Sequence, residues 1–226
     1  GDVLANLLKF NGNKVTKEYY INDYGSQIFN FTKSVFLRIR EIKYKEKFII
    51  EKDLYPGDYI KEIAKKILIK NKLEFNTLEE NYEYLVKESL NYSMDVIKSD
   101  LKKLGISHDS FISEKSIVNS NTLTEAINQL KKTNHIEEGF LEPPKGDENN
   151  NWKKTKRLIF KSILFGDDAN RALQKNDGSW TYFANDVAYH ADKINRNYDT
   201  LINVLGADHT GYIKRITAAV KAISNN

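Results

Sequence analysis

Residues 15–39 read VTKEYYINDYGSQIFNFTKSVFLRI, and the order of patterns in this stretch decides the fold class. Residues 15–21 are rich in β-branched and aromatic side chains, which suit a pleated strand. Asn22-Asp23-Tyr24-Gly25 follows as a polar turn. Ile28, Phe31, Val35, Phe36 and Ile39 then recur at helical spacing. Strand, polar turn and helix make half of an α/β unit. On the N-terminal side, Val3, Leu4, Leu7, Leu8 and Phe10 predict a helix over 2–10, broken at Asn11-Gly12-Asn13.

On the C-terminal side, residues 40–55 are lysine-rich and read as irregular, ending at LYPGDY. From about 58 to 104 the pattern is helical, carried first by Ile60, Ile63, Ala64 and Ile67, then by Leu85, Leu90, Met94, Ile97, Leu101 and Leu104. Gly105 is a natural stop. Residues 109–113 predict a short strand. Residues 122–133 predict a helix, with Thr122 and Glu125 at capping-box spacing. EPPKGDENNNWKK at 142–154 holds two of the three prolines and predicts a loop or boundary. Asn176-Asp177-Gly178 predicts a hairpin turn, and 184–196 a helix. TLINVL at 200–205 is nearly continuous in apolar residues, as a strand buried on both faces would be. A last helix is expected at 211–224.

Composition narrows the class. The 226 residues suit one large domain or a domain with an insertion. Lys and Arg number 35 against 31 Asp and Glu, a formal charge of +4, well short of a polybasic chain. Hydrophobic residues at 40% and aromatics at 12% exclude wholesale disorder. With no cysteine, disulfides, thiolate zinc sites, iron–sulfur clusters and cysteine nucleophiles are all excluded. No apolar run approaches the roughly 18 residues of a membrane span, and no signal peptide opens the chain, so a cytoplasmic protein is expected. The only methionine is Met94 and the chain opens at Gly1 inside a helical pattern, which suggests a cut from a longer parent.

Several chemistries find no motif. GxxxxGK[ST], GxGxxG, HExxH and GxSxG are all missing, and His108, His135, His190 and His209 show no mutual ligand spacing. The best candidate follows the 200–205 run: Gly206, Ala207, Asp208, His209, Thr210, Gly211 and Tyr212. In open α/β sheets ligands bind beyond the carboxyl ends of strands, where small residues, ribose acceptors and a helix N-terminus converge. The plainer account is that Asp208 or Thr210 caps the next helix. Asn22, Asp23 and Gln27 form a second candidate after the first strand, the plainer account being an Asp23 cap and a Gly25 turn. Tyr182 and Asp186, four apart, share a helix face and suit a guanidinium or ammonium group, although an exposed aspartate beside a core tyrosine also fits. Gly166-Asp167-Asp168 with Arg171 hints at a cation loop, but calcium-loop spacing fails and a solvated turn is expected. Lys43, Lys45, Lys47, Lys65, Lys66, Lys153, Lys154, Lys156 and Arg157 are interleaved with acids and read as solvated faces rather than a phosphate-binding strip.

These signals occur together in the order of one family. The blocks are GDVLANLL at 1–8, VTKEYYINDYGSQI at 15–28, LYPGDYI at 54–60, LGISHDSFISE at 104–114, LEPPKG at 141–146, FGDDANRAL at 165–173, KNDGSWTYFANDVAYH at 175–190 and INVLGADHTGYIKR at 202–215. Over essentially its whole length the chain resembles the catalytic region of bacterial-type arginyl-tRNA synthetases, which are class I aminoacyl-tRNA synthetases. The resemblance implies an α/β, Rossmann-like catalytic core with largely helical connecting insertions, incomplete at both ends. It implies core at 1–41, a helical insertion at 42–105, a core strand plus connecting segment at 106–165, and core again at 166–226.

The resemblance also implies an activity: ATP-dependent conversion of L-arginine to arginyl-adenylate, then transfer to tRNA(Arg). ATP with Mg2+ enters as substrate, with no tightly bound cofactor, no metal site in the chain, no membrane partner and a monomeric enzyme. Tyr182 and Asp186 match the family's tyrosine and aspartate that hold the arginine guanidinium. Gly206, Asp208, His209 and Gly211 match the segment near the ATP adenosine, and Asn22, Asp23 and Gln27 match an NDxGxQ turn at the active-site rim. Tyr24 stands where the family often has alanine. The family's HxGH signature is expected upstream of Gly1 and its KMSKS-like loop beyond Asn226. No catalytic residue is therefore assigned within the chain, and the isolated chain is expected to be inactive in aminoacylation and pyrophosphate exchange. The alternative is a non-catalytic arginine- or RNA-binding module derived from a synthetase.

Overall fold

The computed structural model describes residues 1–141 and 155–224, so the loop expected at 142–154 lies outside the described residues. The chain divides into two compact units, Asp2–Phe111 and Ile112–Asn226.

The first unit opens with α1 (Asp2–Phe10), which ends before Gly12 at a left-handed φ of 85°. The expected strand is shorter than its pattern. β1 (Glu18–Ile21) pairs with β2 (Ser110–Ser113), and the Lys17 N–H donates instead to the Asp109 carboxylate at 2.7 Å. Three helices form the core: α2 (Ser26–Tyr44), α3 (Asp58–Lys70) and α4 (Leu78–Lys103). Phe31, Val35, Phe36 and Ile39 of α2 pack with Ile60, Ile63, Ala64 and Ile67 of α3 and Leu85 of α4, with Phe75 buried in the α3–α4 link. Removing this much apolar surface from water stabilises the helices far more than their propensities do.

One expectation for this unit needs correction. The helix does not end near 39 but continues to Tyr44, because the polar residues of its last turns find partners. Arg40 donates to the Phe75 and Asn76 carbonyls at 2.8 Å, and Lys43 to the Leu73 carbonyl at 2.8 Å. Lys45, left-handed at φ 62°, ends it. The helical pattern over 58–104 forms α3 and α4, divided where Thr77 starts α4 by accepting from the Glu80 N–H at 3.3 Å. The Gly105 stop is present: at φ 74° it lets its own N–H and that of Ile106 bond back to Lys102 and Leu101.

The second unit holds α5 (Glu114–Asn119), α6 (Asn121–Lys132), α7 (Tyr182–Asn195) and α8 (Ile213–Ser224). A small antiparallel sheet runs in the order β3 (Ile136–Gly139), β4 (Arg157–Phe160), β5 (Arg171–Ala172). Ile136 faces Phe160, and Phe160 faces Arg171. Buried alanines at 184, 188 and 191 on α7 and at 218, 219 and 222 on α8 give these helices narrow facing surfaces, against which Leu123, Ile127 and Leu130 of α6 pack from within the same unit. The hairpin turn is as expected, with the Lys175 N–H bonded to the Ser179 carbonyl at 2.7 Å and Gly178 at φ 82°. α6 begins one residue earlier than its pattern, because Ser120 rather than Thr122 supplies the cap.

The larger correction concerns residues 200–205. They form no strand, and Ile202, Val204 and Leu205 are 52%, 65% and 50% exposed. A continuous apolar run is buried on both faces only if strands flank it. Among the described residues none pairs with it, and side-chain bonds from Asn203 hold it instead. Gly166-Asp167-Asp168 is likewise not a solvated turn. The Asp167 side chain is 1% exposed and takes both nitrogens of the Arg171 fork at 2.7 Å.

Candidate active site

Thr181 begins the site. Its hydroxyl oxygen accepts from the Ala184 N–H at 3.2 Å and its O–H donates to the Ala172 carbonyl at 2.9 Å. The cap starts α7 at Tyr182 and ties the helix end to β5. Phe183, Ala184, Val187 and Ala188 then face the core, which leaves Tyr182 and Asp186 together on another face. Tyr182 is 56% exposed. Asp186 is half-buried and accepts a hydrogen bond at Oδ2 from the Tyr212 phenol at 2.5 Å. A concavity of about 400 Å3 lies alongside, lined by Arg171, Thr181, Tyr182, Phe183, Tyr212 and Arg215.

The electrostatics of this face are unusual. Burial raises the Asp186 pKa from its ordinary value, against the opposing pull of the Tyr212 hydrogen bond and the charges of Lys193, His209 and Arg215. Burial, with the Asp186 charge beside it, keeps the proton firmly on the Tyr212 phenol. The Arg215 guanidinium lies 4.8 Å from the centre of the Tyr212 ring. Behind Asp186, burial pushes His190 down to about 4. Neutral His190 bonds through Nδ1 to the Asp186 carbonyl at 2.8 Å and through Nε2 to the Asn203 amide at 3.2 Å. Nδ1–H donates and Nε2 accepts, which sets the tautomer.

The remaining candidates distribute as follows. Gly206 precedes a 3-10 turn over Ala207–Tyr212, closed by the His209 N–H on the Gly206 carbonyl at 3.0 Å and by the Thr210 hydroxyl on the Ala207 carbonyl at 2.5 Å. Asp208 and His209 lie within this turn, and His209 is exposed. A Cβ at Gly211 would meet nothing within 4 Å, so local packing does not require glycine there. The turn therefore carries His209 and Tyr212 towards Asp186. Asn22, Asp23 and Gln27 belong to the first unit. There Asn22 donates to the Gln27 side-chain oxygen at 3.0 Å, and Gly25, at φ 94°, caps α2 without a side-chain bond, so Asp23 is not the cap.

The structure adds one pairing and one residue that the sequence did not single out: the bond from Tyr212 to Asp186, and Glu114. Tyr212 is 26 positions from Asp186, beyond any local spacing rule. Glu114, the last residue of the 104–114 block, opens α5 as a buried carboxylate, with the Asn185 amide 3.4 Å away. Its position just after the serine cap Ser113 was the available signal.

Comparison with known proteins agrees over the whole chain. A family model described as tRNA synthetases class I (R), catalytic domain, matches residues 1–226. An arginine–tRNA ligase of Pelagibacter ubique (strain HTCC1062) is 56% identical over 228 residues, covering 100% of this chain and 40% of that protein. One from Wolbachia pipientis wMel is 48% identical over 227 residues, covering 100% of this chain and 39% of that protein. The chain thus spans about 40% of the length of these curated relatives. A crystal structure of an arginyl-tRNA synthetase from Campylobacter jejuni superposes with a TM-score of 0.83 at 32% identity, covering 99% of this chain and 46% of that one. The enzyme from Plasmodium falciparum, at 15% identity and TM-score 0.61, covers 98% of this chain and 35% of that one and shares the fold.

Proposed function

The chain belongs to the arginine-specific class I tRNA synthetase family, as a part of its α/β catalytic domain, and from that premise we propose that it supplies the arginine-recognition face of a longer arginine–tRNA ligase. The whole enzyme activates L-arginine with ATP and Mg2+ to arginyl-adenylate and pyrophosphate, then transfers arginine to tRNA(Arg). Such an enzyme works in the cytoplasm, and no described helix is long and apolar enough to cross a membrane. Residues 1–41 and 166–226 serve as core, 42–105 as a helical insertion and 106–165 as a core strand with its connection.

The observation that carries this reading is the Asp186 carboxylate, partly withdrawn from water on the same face as Tyr182 and bonded to a neutral phenol, with no ion pair to it among the described residues. A planar guanidinium is the side-chain group that best matches a carboxylate, through two parallel hydrogen bonds. A neutral analogue of arginine would leave the charge unpaired, which is how a polar site rejects isosteres. Tyr182 forms the wall of the adjoining concavity. Gly206, Asp208, His209 and Gly211 are assigned to the adenosine side, and Asn22, Asp23 and Gln27 to the rim. The HxGH and KMSKS-like elements that act on the ATP phosphates are assigned to the rest of the longer protein.

The test is arginine-dependent ATP–pyrophosphate exchange by the longest natural protein containing this chain. Asp186→Asn should raise KM for arginine by about a thousandfold, since it removes the charge from a charge-assisted pair. KM for ATP should change little. An unchanged KM for arginine would refute the assignment.

A further inference from the structure

We infer that Tyr212 is a positioning residue for the Asp186 carboxylate: its phenol holds Oδ2 from one side, so that the remaining lone pairs face an incoming guanidinium. This rests on the arginine reading of Asp186 and goes beyond it, because it ties arginine affinity to the Ala207–Tyr212 turn.

The argument is one of lone pairs and charge. An ionised carboxylate offers about four acceptor positions. The Tyr212 hydroxyl takes one at Oδ2, which leaves room for a bidentate fork. A phenol is a neutral donor, so it orients the carboxylate without cancelling its charge. A lysine or arginine in its place would have satisfied Asp186 and closed the site. Tyr212 cannot swing freely, because Arg215 covers its ring at 4.8 Å and the turn behind it is closed by Thr210 and His209. The concavity of about 400 Å3 has Tyr182 and Tyr212 on its walls, so it adjoins the phenol that donates to Asp186.

The groups around Asp186 come from every neighbouring element. Lys193 of its own helix, His209 of the turn and Arg215 of α8 pull its titration down, as does Tyr212 itself, while burial pushes it up. On α5, Glu114 is engaged with the Asn185 amide. On β5, Arg171 is engaged by Asp167 and Asp168. The buried face of α6 is apolar, with Leu123, Ala126, Ile127 and Leu130. Loss of the Tyr212 hydroxyl therefore removes a favourable contact to the ionised carboxylate and leaves burial less opposed.

Tyr212→Phe in the longest natural protein containing this chain tests this, by pyrophosphate exchange across pH 5–8. KM for arginine should rise about tenfold at neutral pH, the scale of one hydrogen bond to a charged group. The acidic limb of kcat/KM for arginine should move up by about one pH unit, the same energy expressed as a titration. KM for ATP and the melting temperature should stay close to the parent's. An unchanged KM for arginine, or a raised one with an unmoved acidic limb, overturns the inference. So does a parallel rise in both KM values, which would mark a general disturbance of the fold. A parent protein without arginine dependence would instead overturn the reading of Asp186, and the inference with it.

Discussion

Two aspartates of the second unit, Asp167 and Asp186, sit in opposite electrostatic surroundings. Asp167 takes the Arg171 fork in a bidentate pair and the N–H of Asp168, and the Ser162 hydroxyl lies close by. Although burial alone would raise it, these partners hold its pKa down at about 2. Asp186 has a neutral phenol as its direct donor and only more distant cations, so burial prevails and its pKa rises. A buried carboxylate whose charge is met belongs to the scaffold. One whose charge is left to more distant groups suits the ligand-binding role proposed for Asp186.

The largest effect should come from Asp186→Asn, and it should separate the two residues by kind. Arginine affinity should fall by about a thousandfold, or about 4 kcal/mol, while urea stability stays level or rises slightly, because a buried charge has been removed. Marked destabilisation would mean that Asp186, like Asp167, is part of the scaffold. The next effect is acid sensitivity behind Asp186. His190 is held at about 4 in the fold, below its ordinary 6.5, so the unfolded chain takes up the proton first. Stability from this group is full above pH 6.5 and falls towards pH 4, by about 3 kcal/mol. Trp180 lies in this unit, so its fluorescence in urea titrations can follow the loss. His190→Gln should flatten the slope, and an unaltered slope would remove His190 as its cause.

Asp167→Asn should cost about 2 kcal/mol of stability, less than a fully buried pair because Arg171 keeps Asp168. Its folded pKa is depressed, so its contribution is present above about pH 4 and is lost as pH falls through about 2. Asp186, being raised, has the opposite sign and is relieved of strain as it protonates. Thr181→Ala should have the smallest effect, about 1 kcal/mol from the lost cap. Thr181 bonds to the backbone beside Arg171 and also starts the helix carrying Asp186, so both regions should loosen together. Thr181→Ser should restore most of the loss, as read by the same urea titration.

The helices were legible in the sequence where one face repeats. Ile28 to Ile39 and Ile60 to Ile67 lie buried at the spacing their pattern shows. Glycine and turn chemistry was equally local: Gly12, Gly25, Gly105 and Gly178 all take positive φ. The TLINVL run misled because hydrophobicity reports a tendency to be buried and not the presence of strands to do it. Asp167 was misjudged for a related reason. Its sequence neighbours are polar, and its burial comes from the turn folding back on Ser162 and Arg171.

What the sequence determined by itself was the local geometry and the family. Spacing of four on a helix places Tyr182 and Asp186 on one face whatever surrounds them, and ordered motif blocks identify relatives without coordinates. What only the tertiary structure decided was which carboxylate is satisfied. Solvation and charge depend on groups brought together from distant positions, as Tyr212 is brought to Asp186 across 26 residues. Nothing in the two aspartates' immediate sequence distinguishes a structural anion from one left open to a cation.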